Sequence, residues 1–292
     1  MNKIMKNGFK KTCLAVMCSM TLFLTACHND DDNRSFQPQE KVFLGQKAYS
    51  ADILAEASNI QVMRYNMPNV RGERAEATAM VLYPNTPQPK DGWRVVVWEH
   101  GTVGSGDSCA PTNNLLNSNF KVLARSLLTQ GYVIVAPDYE GLGTQGIHPY
   151  LNLDSAAQSA IYAVKAFKQQ QGSRFNGAWV SVGQSQGGHA SLATAEFADR
   201  DSNYKAAVAA APASSLGRII GEIAPQALKA MVDAGQDERA KAVYAELLAY
   251  AAYVGVGIKA YEPAFNYRNI FSERAGIVAE KAEGTTGANG LF

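Results

Sequence analysis

From residue 42 onward the apolar positions fall into short runs separated by polar stretches. Runs at 60–65, 78–83, 94–98, 132–136, 178–182 and 206–210 read as strands. The last four are brief and apolar, and stretches of helical periodicity separate them. In one of these, 155–171, Ala157, Ile161, Val164 and Phe167 recur at three- and four-residue intervals, and Asp154 is the expected N-cap. Another leaves position 185 through His189, Leu192, Ala193 and Phe197. Strand and helix alternating in this way predict an α/β fold, a mainly parallel sheet covered on both faces. Ligands of such sheets collect beyond the carboxyl ends of the strands. The loops that carry His100, Asp138 and Ser185 each follow a strand directly, so they converge on that edge. After residues 211–213 the pattern becomes alanine-rich helix over 216–252 with no strand, the expected start of a helical cap. No internal repeat is evident.

The amino-terminal end has a different character. Lys3, Lys6, Lys10 and Lys11 precede an apolar stretch over 13–24, too short for a permanent bilayer span. Residues 1–27 therefore read as an export signal. The signal ends Leu24-Thr25-Ala26-Cys27, which resembles the lipobox of bacterial lipoproteins and implies acylation of Cys27. His28, rather than Asp, follows it, which by the same resemblance favours an outer-membrane anchor. Residues 28–41, with Asp30-Asp31-Asp32 and Gln37-Pro38-Gln39, are expected to be a solvated tether. A core over 42–215 and a cap segment with its tail over 216–292 complete the expected domain plan.

The signal carries four of the 27 basic residues and none of the 26 acidic ones, leaving 23 against 26, a net charge of −3. That balance gives no support to nucleic-acid binding. Cys13 and Cys18 belong to the signal and Cys27 to the anchor, so Cys109 is an odd cysteine in an exported chain. Neither H-E-x-x-H nor C-x-x-C spacing occurs, and no metal or cofactor is expected.

The candidate chemistry centres on Gly183-Gln184-Ser185-Gln186-Gly187-Gly188, a G-x-S-x-G pattern between an apolar run and a helical one. A serine on such a strand–turn–helix projects its hydroxyl above the sheet, and the glycines admit close backbone neighbours. Ser185 is the expected nucleophile. Attack on a carbonyl also needs a base, a group to orient that base, and donors for the oxyanion. The backbone N–H of Gln186 is the first expected donor. Glu99-His100-Gly101-Thr102-Val103-Gly104 is the expected oxyanion loop, with Thr102 the favoured second donor beside His100 and Gly101.

Three segments together resemble the secretory lipase, lipase-A-like family of α/β-hydrolases. They are Trp98-Glu99-His100-Gly101-Thr102 with Cys109-Ala110-Pro111; 136–143 (Ala-Pro-Asp-Tyr-Glu-Gly-Leu-Gly) with His148-Pro149-Tyr150-Leu151; and 183–190 around Ser185. The similarity covers about residues 60–215. It implies an α/β-hydrolase fold and hydrolysis of carboxylic esters, acyl glycerols or short-chain esters, through a Ser185 acyl-enzyme. Asp138, Tyr139, Glu140 and His148 are expected at the rim of the site, with Asp138 and Glu140 shaping their loop.

The chain also departs from the pattern. The fold's order is serine, acid, histidine, yet past the signal the histidines are His28, His100, His148 and His189, and the only one after Ser185 lies four residues on. The resemblance places the acid, the base and a partner for Cys109 downstream of the cap, so the chain is expected to be a C-terminally shortened form, inactive or poorly folded. Two other readings stay open: an acyltransferase on the same site, and a non-catalytic surface-binding lipoprotein.

Overall fold

The structure is a computed structural model and describes residues 40–283. The expected signal, tether and Cys27 anchor, with His28, lie outside the described residues apart from positions 40 and 41.

Strands β1 (Phe43–Ala48), β2 (Ala57–Pro68), β3 (Arg74–Pro84), β4 (Trp93–Glu99), β5 (Val133–Pro137), β6 (Phe175–Gln184) and β7 (Tyr204–Ala210) form one sheet in the order β1-β2-β3-β5-β4-β6-β7. The expected α/β sheet with flanking helices is present, but it is mixed rather than mainly parallel, with three antiparallel and three parallel strand pairs among the described residues. β5, β4, β6 and β7 pair in parallel, with Val96 opposite both Ile134 and Val180. Their connections are the helices α1 (Ser118–Thr129), α2 (Leu153–Gln171) and α3 (Gln186–Phe197), because parallel neighbours need a crossover. The first three strands add an antiparallel wing that joins β5 through β3. A tight turn suffices there: Asn69 N–H donates to Glu73 O at 2.7 Å, and Gly72 takes φ +78°. β1 was not legible beforehand, since it is an edge strand with no fully buried residue.

Alternation along the strands divides the core. Val95, Val97, Val133 and Val135 face Ala160, Ala163 and Phe167 of α2, whereas Met80, Leu82, Ile134 and Ala136 face Phe120, Ala124 and Leu128 of α1. Phe167 is fully buried, and truncating such a ring to alanine costs about 3–5 kcal/mol. α2 begins two residues before its expected start. Its cap is Asn152, whose Oδ1 accepts from Ser155 N–H at 3.0 Å, while Asp154 sits in the first turn, where its charge suits the helix dipole.

The helical segment after β7 is broken rather than continuous. It runs through α4 (Leu216–Arg218), a π turn at Ile219–Ile223, α5 (Ala224–Asp233) and α6 (Asp237–Tyr261). Pro225, with no N–H to donate, opens α5, and Gly235 at φ +69° closes it. α7 (Glu273–Lys281) follows. By length and composition α6 could span a bilayer, but here Tyr253, Val256 and Gly257 are buried. Arg71, in the β2–β3 turn, donates to Ala260 O of α6 at 3.0 Å.

Candidate active site

Ser185 sits between β6 and α3 with φ +58° and ψ −118°, a region that costs a non-glycine residue about 1–3 kcal/mol. Three backbone hydrogen bonds hold it there. Its N–H donates to Ala210 O at 3.0 Å, and its carbonyl accepts from His189 N–H at 3.0 Å and Ala213 N–H at 3.1 Å. The glycines around it are required by contact. A Cβ at Gly183 would lie 2.0 Å from Gly187 O, one at Gly187 would lie 1.8 Å from Glu99 O, and one at Gly188 would lie 2.8 Å from Ala210 O. The G-x-S-x-G-G run thus lets β4, β6, β7 and α3 meet backbone to backbone, leaving Ser185 half-buried at the top of the sheet.

The first bond into α3 is the one from His189 N–H to Ser185 O, so the amides of residues 186–188 have no intrahelical acceptor. The Gln186 N–H therefore opens beside Ser185 with the positive end of the helix dipole behind it. The β4 loop arrives on the other side, where a Cβ at Gly101 would lie 3.3 Å from Gln184 O and 3.8 Å from Ser185 Cβ. Thr102, the next residue, is half-buried and its Oγ1 is 2.8 Å from Tyr150 Oη.

His100 is buried beneath this loop. Its Nδ1 is 2.7 Å from Gly101 O and its Nε2 is 3.2 Å from Asp138 O. Burial lowers its pKa, and its ring packs 4.4 Å from that of Tyr139. It shapes the loop through its side chain.

The four side chains expected at the rim lie below the surface instead, with Asp138, Tyr139, Glu140 and His148 no more than 6% exposed. Each is turned inward by partners from other elements. Asp138 accepts from Thr78 Oγ1 at 2.6 Å, from Thr112 N–H at 3.0 Å and from Thr112 Oγ1. Burial still pushes its carboxyl up to about 7. Glu140 accepts from Val70 N–H and Ser155 Oγ, and burial raises its pKa. Tyr139, at φ +72°, donates to His100 O at 3.0 Å.

His148 has a defined tautomer. Its Nδ1 must donate to Glu140 O at 2.8 Å, so its Nε2 accepts from the Gln186 amide at 3.0 Å. Desolvation pushes its pKa down to about 4 and keeps it neutral. Both nitrogens of His189 face carbonyls, Ala213 O at 3.2 Å and Leu151 O at 3.0 Å. All three described histidines are thus committed to other partners, and among the described residues Ser185 Oγ has no hydrogen-bonded base.

Two residues of this region carried no role in the sequence reading. Glu99 is fully buried, accepts from Thr194 Oγ1 at 2.7 Å through Oε1, and leaves Oε2 unpartnered. Burial pushes its carboxyl up to about 8. Tyr150 was visible only as part of the His148-Pro149-Tyr150-Leu151 segment. Among the described residues no group of three or more His, Cys, Asp or Glu side chains could hold a metal ion.

No protein-family model matches the chain, and no curated protein does. Solved structures do. A provisionally named hydrolase of Legionella pneumophila superposes with a TM-score of 0.64 at 19% identity, over 86% of this chain and 69% of that one. The rice cell wall degrading esterase LipA of Xanthomonas oryzae gives 0.44 at 23% identity, over 56% of this chain and 48% of that one. Candida antarctica lipase A gives 0.49 at 18% identity, over 57% and 41%. The chain thus spans about half the length of the LipA esterase it matches. The fold is that of an α/β-hydrolase.

Proposed function

We propose that this protein is a serine carboxylic ester hydrolase, with Ser185 as nucleophile and acyl glycerols or short-chain esters as substrates. The observation that carries the proposal is the strained Ser185, held above the sheet by glycines whose neighbours tolerate no Cβ. Ser185 Oγ attacks the ester carbonyl and gives its proton to a base. The oxyanion is received by the Gln186 N–H and by the Gly101–Thr102 segment, the tetrahedral intermediate collapses and expels the alcohol as the base returns its proton to the leaving oxygen, and water activated by the same base then hydrolyses the acyl-enzyme, releasing the acid and the Ser185 hydroxyl. The base is assigned to none of the described histidines. Cys27 acylation would tether the enzyme to the bacterial envelope after export, at the outer membrane.

The test treats natively expressed protein with a fluorophosphonate probe and reads the adduct by peptide mass. The expected result is a single adduct on Ser185 that Ser185→Ala abolishes, with ester turnover falling by at least about 10³-fold. A folded protein that takes no probe would overturn the reading. It would favour the non-catalytic binding reading, which the engagement of His100, His148 and His189 elsewhere also favours. Adding alcohol acceptors to the same assay separates hydrolysis from acyl transfer.

A further inference from the structure

Tyr150 stands where the oxyanion loop and the cap helix α6 meet. Its hydroxyl is 2.8 Å from Thr102 Oγ1, one residue beyond the glycine that lies against Ser185. Its ring packs 5.6 Å from that of Tyr253 on α6, and both residues are buried. One helical turn further along, Gly257 lets α6 approach so closely that a Cβ there would lie 2.4 Å from Tyr150 O and 3.0 Å from Tyr150 N. The same loop is fastened a second time, where Ser105 Oγ donates to Ala282 O, just past α7, at 2.6 Å. Residues 102 and 105 are therefore both tied, directly or through Tyr150, to helices that follow the nucleophile by many residues.

We infer that Tyr150 is a positioning residue that couples the docking of α6 to the conformation of the 100–105 loop. Resting on the ester-hydrolase reading, this makes the second oxyanion donor dependent on the cap. A loop with two glycines, Gly101 and Gly104, has many conformations, and a hydroxyl pair anchored to a helix selects one. The buried Tyr150 ring supplies rigidity, and Gly257 supplies the close approach that keeps the ring in place.

Hydrogen exchange of the whole protein tests the coupling without requiring activity. Tyr150→Phe keeps the ring and removes the hydroxyl, and is expected to speed exchange of the 100–105 amides about fivefold, the effect of one lost hydrogen bond. Exchange in α2 should stay unchanged. Thr102→Val should match it, the double variant should be no faster than either single one, and Thr102→Ser should retain the parent rate. Gly257→Ala, at a position where alanine favours the helix, should loosen the same loop by displacing α6.

Unchanged exchange at 100–105 in Tyr150→Phe, or additive effects in the double variant, would overturn the inference. In the chemical arm the rate of fluorophosphonate labelling at Ser185 should fall as loop exchange rises. If the parent protein takes no probe, the ester reading fails while the exchange data still decide the coupling.

Discussion

The junction of β4, β6 and α3 and the helical segment after β7 are packed by different rules. At the junction a single added carbon would fall 2.0 Å from a backbone oxygen at Gly183 and 1.8 Å at Gly187, whereas at Gly217 and Gly221 it would meet nothing within 4 Å. Side chains follow suit. Glu99, Ser181, Ser191 and Thr194 are fully buried, while Ile220, Ile223, Val232, Tyr244 and Leu248 are 44–55% exposed. The backbone of Ser185 is thus fixed by contacts between main chains, which cannot adjust. The helices after β7 are tied to the rest of the chain at Tyr150, Gly257, Arg71 and Ser105. A serine held at φ +58° needs the first kind of packing, because soft contacts would let its φ relax.

Gly187→Ala should break the contrast most severely. The methyl has no space against Glu99 O, and a loss of at least about 4 kcal/mol, or failure to fold, is expected in urea titrations followed by circular dichroism. Stability within about 1 kcal/mol of the parent would mean that the junction is soft after all.

Glu99 offers a pH-dependent probe of the same region. Burial lifts its carboxyl from 4.5 to about 8, so the folded chain keeps a proton that the unfolded chain releases. Its contribution to stability is full below pH 4.5 and is lost as pH rises to about 8. Glu99→Gln keeps an acceptor for Thr194 and has no proton to lose. It should be near the parent at pH 5 and more stable by about 4 kcal/mol at pH 8. Identical pH profiles for the two proteins would contradict the burial of a protonated acid.

The helical segment after β7 should give the smallest effects. Gly221→Ala is expected to stabilise by about 0.5–1 kcal/mol, since a helical position with open space gains from alanine. Leu248→Gln should stay within about 0.5 kcal/mol of the parent in the same titrations. Large losses at either position would show that the outer face of this segment is packed against something.

Much of the site was legible because its signals are local. The glycines around Ser185, the apolar run before it and the helical spacing after it lie within a few residues of each other, so a strand–turn–helix bearing a serine could be read directly. The Gly101 loop was legible for the same reason. The burial of Asp138, Glu140 and His148 was not, because a charged or polar residue after a strand looks the same whether it meets water or a buried threonine. Asp138 is turned inward by Thr78, 60 positions away, and by Thr112, 26 away. Glu140 is held by Val70, 70 positions away. The helix end at Gly235 was visible as a residue, yet alanine-rich periodicity on both sides concealed it.

The sequence by itself determined the α/β class, the parallel core strands and the turn that displays Ser185, since periodicity and glycine spacing constrain the backbone locally. Tertiary structure alone decided that β1 to β3 form an antiparallel wing, that the expected rim is a buried polar layer, and that Tyr150 joins the Gly101–Thr102 loop to α6. Each of these depends on which distant residues meet. Among them Arg71 reaches Ala260 across 189 positions, and only the packed chain brings such partners within hydrogen-bonding distance.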